Sequence, residues 1–400
     1  MAGNMGSSME VIREARCRIL VVGVGGGACS VLSHALADWP NPPTVAAVNT
    51  DAGALAASGV DLKVPIGRTI AQGLGAGGDA ELGRLAANED LDALRMLVSD
   101  HDLLILVASL GGGTATGAAP ILAGLAREAG LLVLAYVTTP FDFEGSRRQE
   151  QAQEGLAELK QNADAVICLP NQRLYSMLSP GTPLVEAFAF VDRMMTAGIR
   201  GLWTLLARDN MLNLDFSDLQ SLVSNSGNEC VFGYGEGSGP DKVTQALDDL
   251  LEGPMLEKGQ IIANSGAMIL SITGGPDLSL AELEMIRQRF HKAARPGAHT
   301  AIGAAVLEDW KGRVALTVLA AEHWMPSTAP SSARQTLSSA LFGHPEGAGQ
   351  STPAAGKRGK QGIMELDDNR GRFQDMAPTT YKGEDLDIPT YIRRGIRLPT

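Results

Sequence analysis

The 400-residue sequence is short of several things at once. It has only four cysteines, Cys17, Cys29, Cys168 and Cys230. Their scattered spacing suits neither a zinc site nor a disulfide framework, and three adjoin apolar runs. Reduced, largely buried thiols in a cytoplasmic protein are the simplest reading. Basic residues fall behind acidic ones, 33 to 45, for a net charge of −12; this argues against nucleic acid as the main partner. No apolar run is long enough to span a membrane. Residues 16–30, RCRILVVGVGGGACS, imitate a secretory or lipoprotein signal. However, Glu10 and Glu14 precede them, glycines break the short apolar part, and Gly26 stands where a lipoprotein signal needs an aliphatic residue. The segment reads instead as a first buried strand.

What the chain does have is alternation. From Cys17 to about Cys168, strand-like runs (RILVVGV, TVAAVNT, DLLILVAS, LLVLAYVT, DAVICLP) alternate with helical ones (DAELGRLAANEDLDALRMLVSD, the segment after Gly113, RRQEQAQEGLAELKQN). That order predicts a parallel sheet with helices on both faces and ligands beyond the carboxyl ends of its strands. Residues 182–208 form one long, almost continuously apolar helical pattern, expected to be buried between two domains. Strands near NECVFGYGE, GAMILSITGG, TAIGAAVLED and GRVALTVLAA, with helices near 240–252 and 279–294, predict a smaller α+β unit. Residues 1–16 read as a loose extension. Residues 326–384, rich in Ser, Pro, Gly, Ala, Gln and charge, read as a flexible tether to an apolar-tipped tail at 385–400.

The chemistry lies in the loops. In LILVASLGGGTATGAAPILAGLAREAG, a buried strand over Leu103–Ala108 breaks into Gly111, Gly112 and Gly113 and resumes as a helix over 114–129, with Pro120 expected in its first turn or two. Backbone N–H groups of such a turn, with the helix N-terminus behind them, make an anion site, and Thr114 and Thr116 can add hydroxyl donors. The Gly-Lys-Ser/Thr ending of a P-loop is missing. A plain strand-to-helix turn is the alternative. A second loop, GVGGGACS, places Gly23, Gly25 and Ala28 on the relaxed dinucleotide fingerprint, with Asp51 suitably spaced for a ribose hydroxyl. An NAD-binding Rossmann enzyme is therefore a competitor. Against it stand the fused glycines, the loop at 111–113 and a third glycine-rich segment at 73–83, which together suit a triphosphate better. Farther on, Asn213, Asp215 and Asp218 enter a helix. The two carboxylates fit its first turn as caps, or as groups that polarise water at a phosphate.

These segments resemble the tubulin/FtsZ family, most nearly its FtsZ branch, over about residues 17–323 and again at 385–394. GGGTATGAAP is similar to the family's signature loop, usually GGGTGTG. AVNTDA (47–52), GLGAG (73–77), PFDFEG (140–145) and LPNQRL (169–174) match successive nucleotide loops, NLDFSD (213–218) the synergy loop, and LDIPTYIRR the C-terminal peptide. The resemblance implies a GTP-binding domain over 17–181, a central helix over 182–208, an α+β domain over 209–325, the tether and a partner-binding peptide. It implies GTP/GDP with Mg²⁺, head-to-tail self-assembly and assembly-coupled hydrolysis. It also implies a cytoplasmic place at the division ring, and docking of the tail on FtsA- or ZipA-like membrane-anchoring proteins without membrane insertion. Carried over by motif, Gly25, Gly26 and Gly27 approach the phosphates, Ala76 and Gly77 the γ-phosphate, and Gly111, Gly112, Gly113, Thr114, Ala115, Thr116 and Gly117 the phosphate cradle. Asn49 and Asp51 lie in a nucleotide loop, Glu144 and Arg148 near the ribose, and Ser30, Asn171, Phe188 and Asp192 near the base. Asn213, Asp215 and Asp218 act on the neighbour's γ-phosphate.

Three positions depart from the family pattern. Ala115 replaces a signature glycine, Ser30 stands where the family has asparagine, and Asp192-Arg193 replace Asn-Asp. A carboxylate suits guanine's N1 and N2 donors and arginine does not, so guanine readout is expected to fall to Asp192. A non-catalytic or weakly active paralogue, acting as filament or adaptor, is the alternative these changes favour.

Overall fold

The computed structural model describes residues 17–321, except 38, 40, 41, 180, 208–211, 213, 225, 227 and 228, together with 380–381 and 384–385. The extension at 1–16, Asn213 and nearly all of the tether and the tail lie outside the described residues.

The chain begins β1 (Ile19–Val24), α1 (Gly25–Ala37), β2 (Thr44–Asn49), α2 (Ala52–Ala57), β3 (Leu62–Pro65), α3 (Ala80–Glu89), α4 (Leu91–Val98), β4 (Leu103–Ser109) and α5 (Gly113–Glu128). It continues through β5 (Leu132–Thr139), α6 (Ser146–Asn162), β6 (Ala165–Pro170), α7 (Asn171–Tyr175), α8 (Leu184–Ala207) and α9 (Phe216–Ser224). Then come β7 (Glu229–Ser238), α10 (Lys242–Glu252), α11 (Gln260–Asn264), β8 (Ala267–Gly274), α12 (Leu280–Ala293), β9 (His299–Val306) and β10 (Arg313–Ala321). Thr380–Tyr381 and Glu384–Asp385 form a separate two-stranded antiparallel ladder.

The strands join in the order β3-β2-β1-β4-β5-β6-β7-β10-β8-β9. The first six are parallel, in the doubly wound order whose direction reverses between β1 and β4. Two residue pairs, Val166–Glu229 and Ile167–Cys230, carry the sheet into the second half, where β10 pairs antiparallel with β7 and β8. β1, β4 and β5 are buried on both faces, which is why they read as unbroken apolar runs. Their alternate residues feed two cores, Val21, Ile105 and Leu134 on one side and Leu20, Leu104 and Val133 on the other. A third core lies among β8, β10, α10 and α12.

α8 lies against this sheet with Met195 and Ile199 fully buried. Two glycines set how closely it approaches. A Cβ on Gly198 would stand 2.8 Å from the Phe232 ring, and one on Gly201 2.5 Å from Thr317 Oγ1.

Three local expectations are corrected. Pro120 is the eighth residue of α5, past its second turn, and the helix continues to Glu128. Its Leu122, Ala123, Leu125 and Ala126 are buried, and tertiary packing of this kind outweighs the roughly 3 kcal/mol that an interior proline costs. The single helical segment at 79–100 is two helices, broken at Asp90, whose Oδ2 accepts the Gly67 N–H at 2.7 Å. β3 is an addition to the expected strands: an edge strand of four residues, LKVP, ending in Pro65, it is too short to carry a periodic signature.

Candidate functional site

β1 and β4 are neighbours at the point where the strand order reverses, and each runs directly into a glycine turn and a helix. Gly25 takes a left-handed φ of +84°, which lets α1 start at once. α5 starts at Gly113 with Gly112 as its N-cap, at φ −93° and ψ 154°, and no side chain caps it. The backbone N–H groups of Gly113, Thr114 and Ala115 therefore have no acceptor within the helix. The two N-termini meet: a Cβ on Gly25 would lie 3.2 Å from both the N and the Cβ of Ala115. Two sets of free donors and two positive helix ends converge on one notch.

The glycines of this notch divide by what surrounds them. Gly111 has φ +91°, and a Cβ there would sit 2.6 Å from Pro140 Cγ and 2.9 Å from the Arg148 carbonyl. A Cβ on Gly113 would lie 2.6–2.7 Å from the Asp79 backbone, one on Gly117 would collide with the Ala80 carbonyl, and one on Gly27 would stand 2.6 Å from Ser109 Oγ. These four are bare because protein packs on them. Gly26 and Gly112 differ. Among the described residues a Cβ on Gly26 would meet nothing within 4 Å, and one on Gly112 only the Ser109 carbonyl at 3.9 Å. Neither has a left-handed φ. Nothing in the protein requires glycine there, whereas an oxyanion bound by the backbone would. Gly77 also faces open space, but its φ of +57° favours glycine by itself.

The remaining loops are tied to the notch. Thr50 Oγ1 and Thr114 Oγ1 share a 2.6 Å hydrogen bond. Asn49 is buried and its Oδ1 accepts the Asp51 N–H, while Asp51 caps α2 by accepting the Ala54 N–H at 2.9 Å and bridges to Leu74. Ala76 is buried, 2.8 Å from where a Gly113 Cβ would stand. Glu144 Oε1 accepts the Phe141 N–H, and its Oε2 pairs with Arg148 Nη1 at 2.7 Å. Phe188 meets Phe141 edge-on at 5.4 Å, and Phe143 stacks on Phe141 at 5.1 Å. Asn171 opens α7 and is 6% exposed, and its Oδ1 is buried without a donor among the described residues. An orphaned acceptor of this kind calls for a ligand donor.

Ala115 sits in helical backbone, so its β-carbon causes no strain and fills space under Gly25. Thr116 is buried. Its hydroxyl accepts the Gly111 N–H at 3.0 Å and its methyl packs against Gly155, so it braces the turn from below. Asp192 Oδ2 accepts from Ser30 Oγ at 3.2 Å and from His34 Nδ1 at 2.8 Å. Burial raises its pKa, while the His34 and Ser30 hydrogen bonds lower it. Arg193 turns elsewhere, its guanidinium 5.7 Å over the Phe190 ring.

Asp215 and Asp218 do not join this notch. They begin α9, past the far end of α8, a helix of 24 residues and therefore about 36 Å long. Asp215 is exposed, and its N–H donates to Asp218 Oδ2 at 3.2 Å, a cap for the helix start. Among the described residues no group of three His, Cys, Asp or Glu could hold a metal. A Mg²⁺ ion at the notch would take its oxygens from phosphates and water. A cavity of about 770 Å³ lies between α8 and strands β7 and β10, with Thr196, Tyr234 and Thr317 in its wall; no glycine of the notch lines it.

Sequence reasoning missed Thr50, Phe141 and His34. The first two lie inside quoted loops. His34 is one turn beyond Ser30 on α1, and only the packing of α8 on α1 reveals it.

A doubly wound parallel sheet with two bare helix N-termini at its switch point defines a nucleotide-phosphate-binding α/β protein. Residues 18–179 match the model of the tubulin/FtsZ family GTPase domain, and residues 228–323 that of the FtsZ family C-terminal domain. FtsZ from M. jannaschii, an empty dimer, is 30% identical with a TM-score of 0.72, covering 77% of this chain and 89% of that one. CetZ2 from Haloferax volcanii, a GTPγS-bound protofilament, is 24% identical with a TM-score of 0.61, covering 81% of this chain and 100% of that one. CetZ from Methanosaeta thermophila shares the fold at 16% identity and a TM-score of 0.64, covering 81% of this chain and 90% of that one. The chain belongs to the tubulin/FtsZ family of cytoskeletal GTPases.

Proposed function

We propose that this protein binds GTP at the α1–α5 notch, stacks head to tail into filaments, and hydrolyses GTP only where two subunits meet. The observation that carries the reading is the pair Gly26 and Gly112, bare and facing open space at two convergent helix N-termini. The phosphates bind to the N–H groups of residues 25–27 and 112–115, with Thr114 held in place by Thr50. The γ-phosphate lies toward Ala76 and Gly77, the ribose toward Glu144 and Arg148, and the base among Ser30, Asn171, Phe188 and Asp192. Asn49 and Asp51 shape the loop at the end of β2.

Asp215 and Asp218 follow the C-terminal end of α8, whereas Phe188 and Asp192, assigned above to the base, lie in its first half. That separation supports their serving the notch of the next subunit. There, with Asn213, they orient and polarise a water that attacks the γ-phosphorus as GDP leaves; the work is positioning and electrostatics. Magnesium supplies charge neutralisation on the phosphates when bound.

The FtsZ-type C-terminal domain supports a place in the division ring, with residues 385–394 docking on FtsA- or ZipA-like membrane anchors. Among the described residues no helix is long and apolar enough to cross a membrane. A weakly hydrolysing filament protein is the second reading, favoured by Arg193, which offers no carboxylate to the base. Nucleotide-free protein titrated with GTP and followed by light scattering tests the main reading. Scattering should rise with GTP and decay as GTP is consumed; a flat trace would refute assembly.

A further inference from the structure

We propose that His34 is a positioning residue for base recognition: with Ser30 it clamps one oxygen of Asp192, so that the other is presented as a fixed acceptor for the 2-amino group of guanine. The inference rests on the guanine-nucleotide reading above.

The geometry is a two-helix clamp. Ser30 and His34 are four residues apart on α1, and Phe188 and Asp192 four apart on α8, so each pair lies on one helix face. Both donors of α1 reach the same atom, Asp192 Oδ2, at 3.2 and 2.8 Å. A carboxylate only accepts, so His34 must present its Nδ1–H. Asp192 Oδ1 has no hydrogen-bond partner among the described residues. The Asp192 side chain is 14% exposed, and burial disfavours its charge. Without the clamp, the carboxyl would tend toward its neutral form and turn freely, and a neutral carboxyl offers one donor and a poorer acceptor.

His34 itself is 63% exposed at its side chain, so it fills no core. Among the described residues it has one hydrogen bond, to Asp192. Arg193, the next residue on α8, lowers the Asp192 pKa through its charge, not through a hydrogen bond. The clamp thus offsets the change at 192–193: the carboxylate has moved one position along α8, and α1 supplies the donors that aim it.

The test compares GDP with IDP, which lacks the 2-amino group, by displacement of a fluorescent guanine nucleotide from the full chain. His34→Ala should lower GDP affinity about fivefold and leave IDP affinity unchanged, as loss of one aimed hydrogen bond implies. His34→Asn, whose side-chain amide nitrogen stands near the position of Nδ1, should restore the preference. An unchanged GDP/IDP ratio in His34→Ala, with wild type preferring GDP, would overturn the inference and leave the guanine reading standing. Equal weakening of both ligands in both variants would mean a structural role and would also overturn it. A wild type with no preference for GDP would remove the guanine reading and this inference together.

Discussion

Gly112→Ser should move stability and ligand affinity in opposite directions. The backbone at Gly112, φ −93° and ψ 154°, accepts any residue, and the nearest protein atom to a new Cβ is 3.9 Å away. Serine is a better N-cap than glycine by a few tenths of a kcal/mol, because its hydroxyl accepts an N–H of the first turn. The nucleotide-free variant should therefore melt at the wild-type temperature or about 1 °C above it. The same cap takes an N–H from the anion, and its Cβ enters the space we assign to phosphate. Loss of one hydrogen bond to a charged group costs about 1.5–3 kcal/mol, or roughly 10- to 100-fold in GDP affinity. Gly117→Ser is the control. Its Cβ would collide with the Ala80 carbonyl where α5 crosses α3, and overpacking of this kind costs about 1–3 kcal/mol, lowering the melting temperature by roughly 2–5 °C. The assay is a thermal melt without nucleotide beside fluorescence anisotropy with labelled GDP. Wild-type GDP affinity in Gly112→Ser would refute the reasoning and return the turn to a purely structural role.

Asp215→Ala or Asp218→Ala should nearly abolish turnover while GDP affinity stays at wild type, and mixtures with wild type should lose more activity than dilution explains; additive mixtures would contradict a shared site. In the C-terminal half, buried Lys242 sits 2.5 Å from Asp277 and holds its pKa at about 2, below an ordinary 3.8, with the Gly312 N–H also donating to it. A depressed carboxylate stabilises above its unfolded pKa and loses that contribution as pH falls, so Lys242→Met should melt below wild type at pH 7 and the gap should close between about pH 4 and pH 2. Deleting residues 385–400 should leave turnover and filaments in solution intact and abolish recruitment to vesicles bearing the anchor protein; loss of filaments would place the tail in the polymer.

The sequence made the parallel sheet and the long helix legible, because strands buried on both faces and a helix buried on most sides read as unbroken apolar runs. Edge features did not read so clearly: β3 is four residues long, with Leu62 and Lys63 both exposed and no alternation to find, and Asp90, where the helices break, accepts a hydrogen bond from distant Gly67. In the glycine loops, clustering was visible but its cause was not. Gly113 and Gly117, expected at the phosphates, also lie where α5 meets Asp79 and Ala80, so packing accounts for their lack of a side chain as well. The bond from the Gly111 N–H to the Thr116 hydroxyl, five residues on, likewise appears only once the turn is built. The tie between Asp192 and His34 spans 158 residues and no local rule predicts it.

The most direct test of shared-site hydrolysis is GTP turnover measured against protein concentration. Specific activity should be near zero at low concentration and break upward at the concentration where filaments form, with Asp215→Ala flat throughout. Turnover strictly proportional to protein from the lowest concentration would mean that one subunit hydrolyses GTP alone, and would contradict the account.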